Sequence, residues 1–122
     1  MNAAPRSSVT DALVEHAAGC RYEQLPAAAL EATRTFVLDS LGVALFGTRV
    51  PLVATLRESA VDWGAGDACR VWGTGERVPV PTAAFLNAYQ IHNQEFDCVH
   101  EPAVVHPMAV VLATLVAWAE GR

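Results

Sequence analysis

Hydrophobic positions recur along this chain at helical spacing, interrupted once. Val9, Leu13, Ala17 and Cys20 mark one face of a first helix. Ser8 or Thr10 caps its start, because a hydroxyl there accepts an otherwise orphaned backbone N–H, and Gly19 with Arg21-Tyr22 marks its end. Leu25-Pro26 opens a second helix that runs to Gly47, with Pro26 at its first position, where a missing N–H is harmless. Leu30, Val37, Leu38, Leu41 and Leu45 form its stripe. Phe36 and Val43 widen that stripe until almost the whole circumference is apolar, the signature of a central helix. Asp39 interrupts the stretch with a carboxylate, read as structural, and Gly42 suggests a close helix contact. Pro51 starts a third helix carrying Leu52, Leu56, Ala60 and Trp63, which stops at Gly64-Ala65-Gly66.

The period then shortens. Ala68 to Trp72 and Arg77 to Val80 alternate around Gly73-Thr74-Gly75, which predicts a hairpin whose second strand is an edge because of Pro79. Two glycines and no following lysine exclude a phosphate loop. Pro81-Thr82 begins a fourth helix packed through Ala84, Leu86, Ala88, Tyr89 and Ile91. After a loop from Gln94 to His106, Pro107 begins a fifth, with Val110, Val111, Leu115 and Trp118 as its knobs. The pattern is mainly α, about five helices with one short β-hairpin near 68–80. It forms a single helical domain over 1–122, with a flexible tail at 1–7.

Composition sharpens this picture. The chain has 122 residues and is 52% hydrophobic but only 17% charged. So few charges leave apolar surface to meet a partner or further copies of the chain. The net charge is −5, and all eight basic residues are arginine, scattered without a run. A nucleic-acid interface is therefore not expected. The run Met108 to Ala119 is too short for a bilayer, so no membrane span is expected. Three unpaired, widely spaced cysteines and an N-terminus without an apolar signal stretch predict a reduced, cytoplasmic protein.

Chemistry concentrates between His92 and His106. Three of the four histidines lie there, with Glu95, Asp97, Glu101 and Cys98. A histidine beside a carboxylate gives or takes protons near neutral pH, and the carboxylate orients its ring. His92 and Glu95 are three apart and share a face if helical, while Pro102 and Pro107 stiffen the loop that aims His106. Three other readings compete. The histidines and carboxylates are possible metal ligands, although no zinc signature matches their spacing. Cys98 could be a nucleophile paired with His100, although residues two apart in an extended loop do not face one another. The loop could also be merely solvated, with His100 and Glu101 as its foremost bystanders.

The order Asn87…His92-x-x-Glu95-Phe96-Asp97…His106-Pro107 resembles the N-terminal part of the MmgE/PrpD family. That family includes 2-methylcitrate dehydratase and cis-aconitate decarboxylase. Leu38-Asp39-Ser40-Leu41-Gly42, Val71-Trp72-Gly73 and Phe85-Leu86-Asn87 extend the resemblance over nearly the whole chain. It implies a lyase or isomerase for small di- or tricarboxylic acids, of the 2-methylcitrate dehydratase kind, with no cofactor. It also implies His106, Glu95 and Asp97 as catalytic-site residues. In that reading His106 is an acid/base or carboxylate-binding group, Glu95 orients or accepts a proton, and Asp97 fixes the loop. Asn87 and His92 are implied as substrate contacts, and no metal is implied.

The sequence also departs from the family pattern. Glu95 replaces a shorter Asp, Cys98 replaces a further Asp, and Val99 stands where the decarboxylase carries Thr. These changes argue against cis-aconitate decarboxylation. Family members are several times longer, with a lid domain and catalytic lysines beyond this end, and this chain has no lysine. The expectation is a fragment, a truncated product or one subunit of a split enzyme. It would be completed by a homo-oligomer or a complementary chain. The alternative is a non-catalytic helical interaction module.

Overall fold

A computed structural model describes residues 8–122, so the proposed tail at 1–7 lies outside the described residues. By internal packing the chain divides into two units, Met1–Thr33 and Arg34–Arg122. In the first, helix α1 spans Val9–Gly19. Ser8 caps it reciprocally: its hydroxyl accepts the Asp11 N–H at 3.1 Å, and the Asp11 carboxylate accepts the Ser8 N–H at 2.9 Å. A 3-10 turn, Tyr22–Gln24, leads to helix α2, Ala27–Gly47, which continues into the second unit. Pro26 lies one residue before the first helical position, and its carbonyl accepts from Ala29 and Leu30.

The second unit adds helix α3 (Pro51–Ala60) and a 3-10 turn to Trp63. Strands β1 (Cys69–Arg70) and β2 (Arg77–Val78) follow, then helices α4 (Val80–His92) and α5 (Pro107–Glu120). The mainly α fold with one hairpin is as expected. The strands pair antiparallel, Cys69 opposite Val78 and Arg70 opposite Arg77. Pro79 falls just outside the ladder, at the N-cap of α4, so it removes no sheet hydrogen bond. The hairpin is tied to its neighbours by ion pairs. Arg57 on α3 grips Glu76, and Arg70 reaches Glu120 at the end of α5 at 2.6 Å. Each pairing lowers its carboxyl below the usual glutamate value.

The core is built from small side chains. Ala44 on α2 meets Ile91 on α4 and Ala109 and Ala113 on α5. Ala60, Val71 and Leu86 form a second cluster, and Cys69, Ala83 and Ala117 a third. These alanines let the helix backbones approach closely. Among the glycines the tightest is Gly47, where a Cβ would lie 2.0 Å from the Gln90 carbonyl oxygen. Gly42, expected at a close contact, has open space around it instead.

Two packing expectations are corrected. In α2 the buried residues are only Ser40, Ala44 and Gly47, while Leu38 is 75% exposed and Leu45 and Phe46 are about half exposed. The helix carries Glu31, Arg34 and Asp39 among its apolar positions, and within this chain it is not central. In α5 the expected knobs Val110, Val111, Leu115 and Trp118 are exposed. The packed face is Ala109, Leu112, Ala113 and Ala117. α5 has no charged residue before Glu120, so periodicity cannot say which of its faces the neighbours choose. Asp39 is exposed, which removes the difficulty of a buried carboxylate in α2. Among the described residues, no single helix is long and apolar enough to cross a membrane.

Candidate active site

Helix α4 ends on His92, and α5 begins immediately after His106, its N-cap residue. Between them the chain turns back. The Glu95 N–H donates to the His92 carbonyl at 2.9 Å, and Glu95 adopts a left-handed conformation, φ 52°. That turn carries Asp97 inward. A second constriction follows: His100 and Val105 bridge, and the His100 ring accepts the Ala103 N–H at the head of a 3-10 turn, Glu101–Ala103. Val104, β-branched and at φ 51°, is held in a conformation that such residues rarely adopt. His100 is therefore a loop brace, and the loop delivers His106 to a fixed place.

At that place His92, Asp97 and His106 converge. The Asp97 side chain is fully buried, while His92 and His106 are 47% and 30% exposed. One Asp97 oxygen, Oδ1, lies 3.1 Å from His92 Nδ1 and 3.3 Å from His106 Nδ1. The first contact is a hydrogen bond; the second is close but poorly aligned. The imidazole centroids are 4.8 Å apart, inclined at 60°. The other carboxylate oxygen, Oδ2, is buried without a partner. A carboxylate facing Nδ1 of an imidazole selects the tautomer protonated there and leaves Nε2 as the atom that exchanges protons. The three residues each offer a ligand atom within 4.8 Å of the other two, close enough to share a divalent ion. Two imidazoles and a carboxylate are also a common ligand set.

The other expected residues fall elsewhere. Glu95 is exposed, and among the described residues its carboxylate has no hydrogen-bond or ion-pair partner. Asp97, two residues on, is the carboxylate that touches both rings. Asn87 is buried and engaged with the hairpin: its Oδ1 accepts the Trp72 N–H at 2.9 Å, and its Nδ2 donates to the Arg70 carbonyl at 3.0 Å. This occupies the side chain that the resemblance implied for substrate contact. The Cys98 thiol is pushed up by burial and by the negative charges of Asp39 and Asp97, which disfavours a nucleophilic thiolate.

An open groove of about 510 Å³ runs from the two histidines between α4 and α5. Phe85, Ala88 and Tyr89 form its α4 wall, and Ala109 and Val110 its α5 wall. The sequence reading missed this groove as part of the site, although counting helical turns back from His92 and forward from His106 reaches all five residues. A larger hollow of about 610 Å³, between α3 and the hairpin, holds Arg57 and Glu76 already paired with each other.

The chain is thus a mainly α domain in which two helix ends bring a pair of histidines onto one buried carboxylate. Residues 11–122 match the MmgE/PrpD N-terminal domain, and the chain belongs to that family. It is 30% identical over 114 residues to cis-aconitate decarboxylase of Mus musculus, covering 93% of this chain and 23% of that protein. It is 29% identical to the decarboxylases of Aspergillus terreus and Homo sapiens, covering 94% and 93% of this chain and 24% of each relative. The chain thus spans about a quarter of the length of these relatives. All three bear the name of the activity that Val99 and Cys98 were read as arguing against.

Proposed function

We propose that this chain is the histidine-bearing N-terminal portion of an MmgE/PrpD-type lyase for small di- or tricarboxylic acids, completed by further polypeptide. The observation that carries this reading is the single buried carboxylate of Asp97 facing Nδ1 of both His92 and His106. One imidazole takes the proton from the carbon next to a substrate carboxylate. The electron pair left there forms the double bond as the C–O bond breaks. The other ring, protonated, gives its proton to the departing hydroxyl, which leaves as water. Asp97 positions both rings and offsets the positive charge that develops on them. Glu95, unpartnered and exposed, remains available to substrate.

This is dehydration of the 2-methylcitrate kind. A second reading, loss of CO2, is favoured by the names of the relatives. There the electron pair of the broken C–C bond is protonated on carbon by the same imidazole pair. The test uses the purified native assembly with every polypeptide in it identified. It is offered 2-methylcitrate, citrate and cis-aconitate, and products are followed by proton NMR. His106→Ala should abolish turnover with little change in melting temperature, and Asp97→Asn should lower it by about 10²–10⁴-fold, the range of acid–base assistance. Unchanged turnover in His106→Ala would remove His106 from the mechanism. Activity lost to a chelator and restored by a divalent ion would instead make His92, Asp97 and His106 metal ligands.

A further inference from the structure

We infer that His92, Asp97 and His106 form a site for a divalent transition-metal ion of the zinc type, and that an ion held there blocks both rings as bases. The binding rests on geometry alone; only the block rests on the lyase reading. Asp97 Oδ1 lies 3.1 Å from His92 Nδ1 and 3.3 Å from His106 Nδ1. Donors around a tetrahedral ion with bonds of about 2.0–2.1 Å stand about 3.3–3.4 Å apart. These two separations are thus already close to those of ligands. A bridging water fits less well, because hydrogen bonds of about 2.8 Å would hold its partners about 4.6 Å apart. Each of the three residues offers an atom within 4.8 Å of the other two, and three protein ligands leave the fourth position of the ion to water.

A second observation points to an ion. The Asp97 side chain is fully buried, and both its Oδ2 and His106 Nδ1 are buried without a hydrogen-bond partner. A hydrogen bond accounts for the contact of His92 with Asp97. It does not account for that of His106, whose Nδ1 sits 3.3 Å from Oδ1 without pointing at it. Ligands of a shared ion behave this way: each aims its lone pair at the ion, not at its neighbour. Atoms that solvent does not reach lie beyond the reach of further polypeptide as well, so what satisfies them sits within the cluster. Binding an ion through Nδ1 moves the proton of each neutral ring to Nε2. Once Nε2 carries a hydrogen it accepts no other. The ion and the acid–base reaction therefore compete for one pair of rings.

The test titrates the isotopically labelled full chain with zinc chloride, by calorimetry and by imidazole nitrogen resonances. One ion per chain should bind, shifting Nδ1 of His92 and His106 and leaving His16 and His100 in place. Asp97→Asn should weaken binding by more than the about 10–100-fold that outer partners of metal ligands are worth. If that variant unfolds, His92→Ala, at a half-exposed position, tests the same site. In the native assembly, turnover should fall as the first equivalent of zinc is added and return with a chelator, the reverse of a metal-dependent reaction. No binding, or shifts confined to His16 beside Cys20, would overturn the site and leave the lyase reading standing. Shifts at both Nδ1 atoms with turnover unchanged would overturn the block. Turnover that needs zinc would overturn the block and the proton-transfer reading together. An assembly inactive on every acid, with zinc on both rings, would uphold the site and overturn the lyase reading.

Discussion

Gly47→Ala adds one methyl group where α2 meets α4. Its Cβ would lie 2.0 Å from the Gln90 carbonyl oxygen and 2.8 Å from Asn93 Oδ1. The tighter clash is with backbone, so moving the Asn93 side chain aside would not relieve it. Restoring an ordinary contact of 3.4 Å requires α2 to retreat by about 1.4 Å. That retreat lifts Ala44 from Ile91, Ala109 and Ala113, and a gap of even 0.5–1 Å forfeits about a quarter to a half of each contact's attraction. It also stretches the 3.0 Å hydrogen bond from Asn93 Nδ2 to the Gly47 carbonyl, worth about 1 kcal/mol. Overpacking of this kind costs about 1–3 kcal/mol. Against it stands the helix preference of Ala over Gly, about 1 kcal/mol. The net expectation is a loss of about 2 kcal/mol. Gly42→Ala, in the same helix with nothing within 4 Å, should gain up to about 1 kcal/mol. Urea unfolding followed by circular dichroism should move the two midpoints in opposite directions. A Gly47→Ala chain as stable as Gly42→Ala would refute the packing argument.

Three further outcomes follow from the same geometry. Glu76 and Glu120 are held below the ordinary glutamate value of 4.5 by Arg57 and by the Arg70 backbone and side chain. Their contribution is complete above that value and is lost as pH falls through the lower folded-state values. Acid unfolding should therefore steepen below about pH 4.5, less so in Glu120→Gln; identical acid profiles would contradict the pairing. In alkylation followed by mass spectrometry, exposed Cys20 should react before Cys69 and Cys98, whose thiols burial pushes up. Cys98 modified as fast as Cys20 would reopen the nucleophile reading. Asn87→Leu leaves the Trp72 N–H and Arg70 carbonyl unmatched, which should destabilise by about 2–4 kcal/mol. A stability unchanged in thermal melts would show that the brace is dispensable.

Much of the local structure was legible because its causes are local. Ser8 caps α1 through groups three residues apart, Pro107 opens α5, and the change of period at residue 68 marks the hairpin. The segment from His92 to His106 stood out by composition, and the motif order around it named the family. Whether Glu95 or Asp97 faced the histidines was not legible. The two carboxylates are two residues apart, and only the left-handed turn at Glu95 leaves one exposed and the other buried against both rings.

Roughly where helices begin and end, where the hairpin falls and which segment gathers the histidines and carboxylates could be read from the chain alone, since capping, proline and periodicity act over a few residues. Packing set which faces of α2 and α5 are covered, because apolar residues on several sides of a helix leave its buried face open until neighbours supply one. It also decided that Gly47, not Gly42, is the tight contact, and that Asn87 braces the hairpin. These depend on which residues distant in sequence come within a few ångströms, and no local pattern encodes that distance.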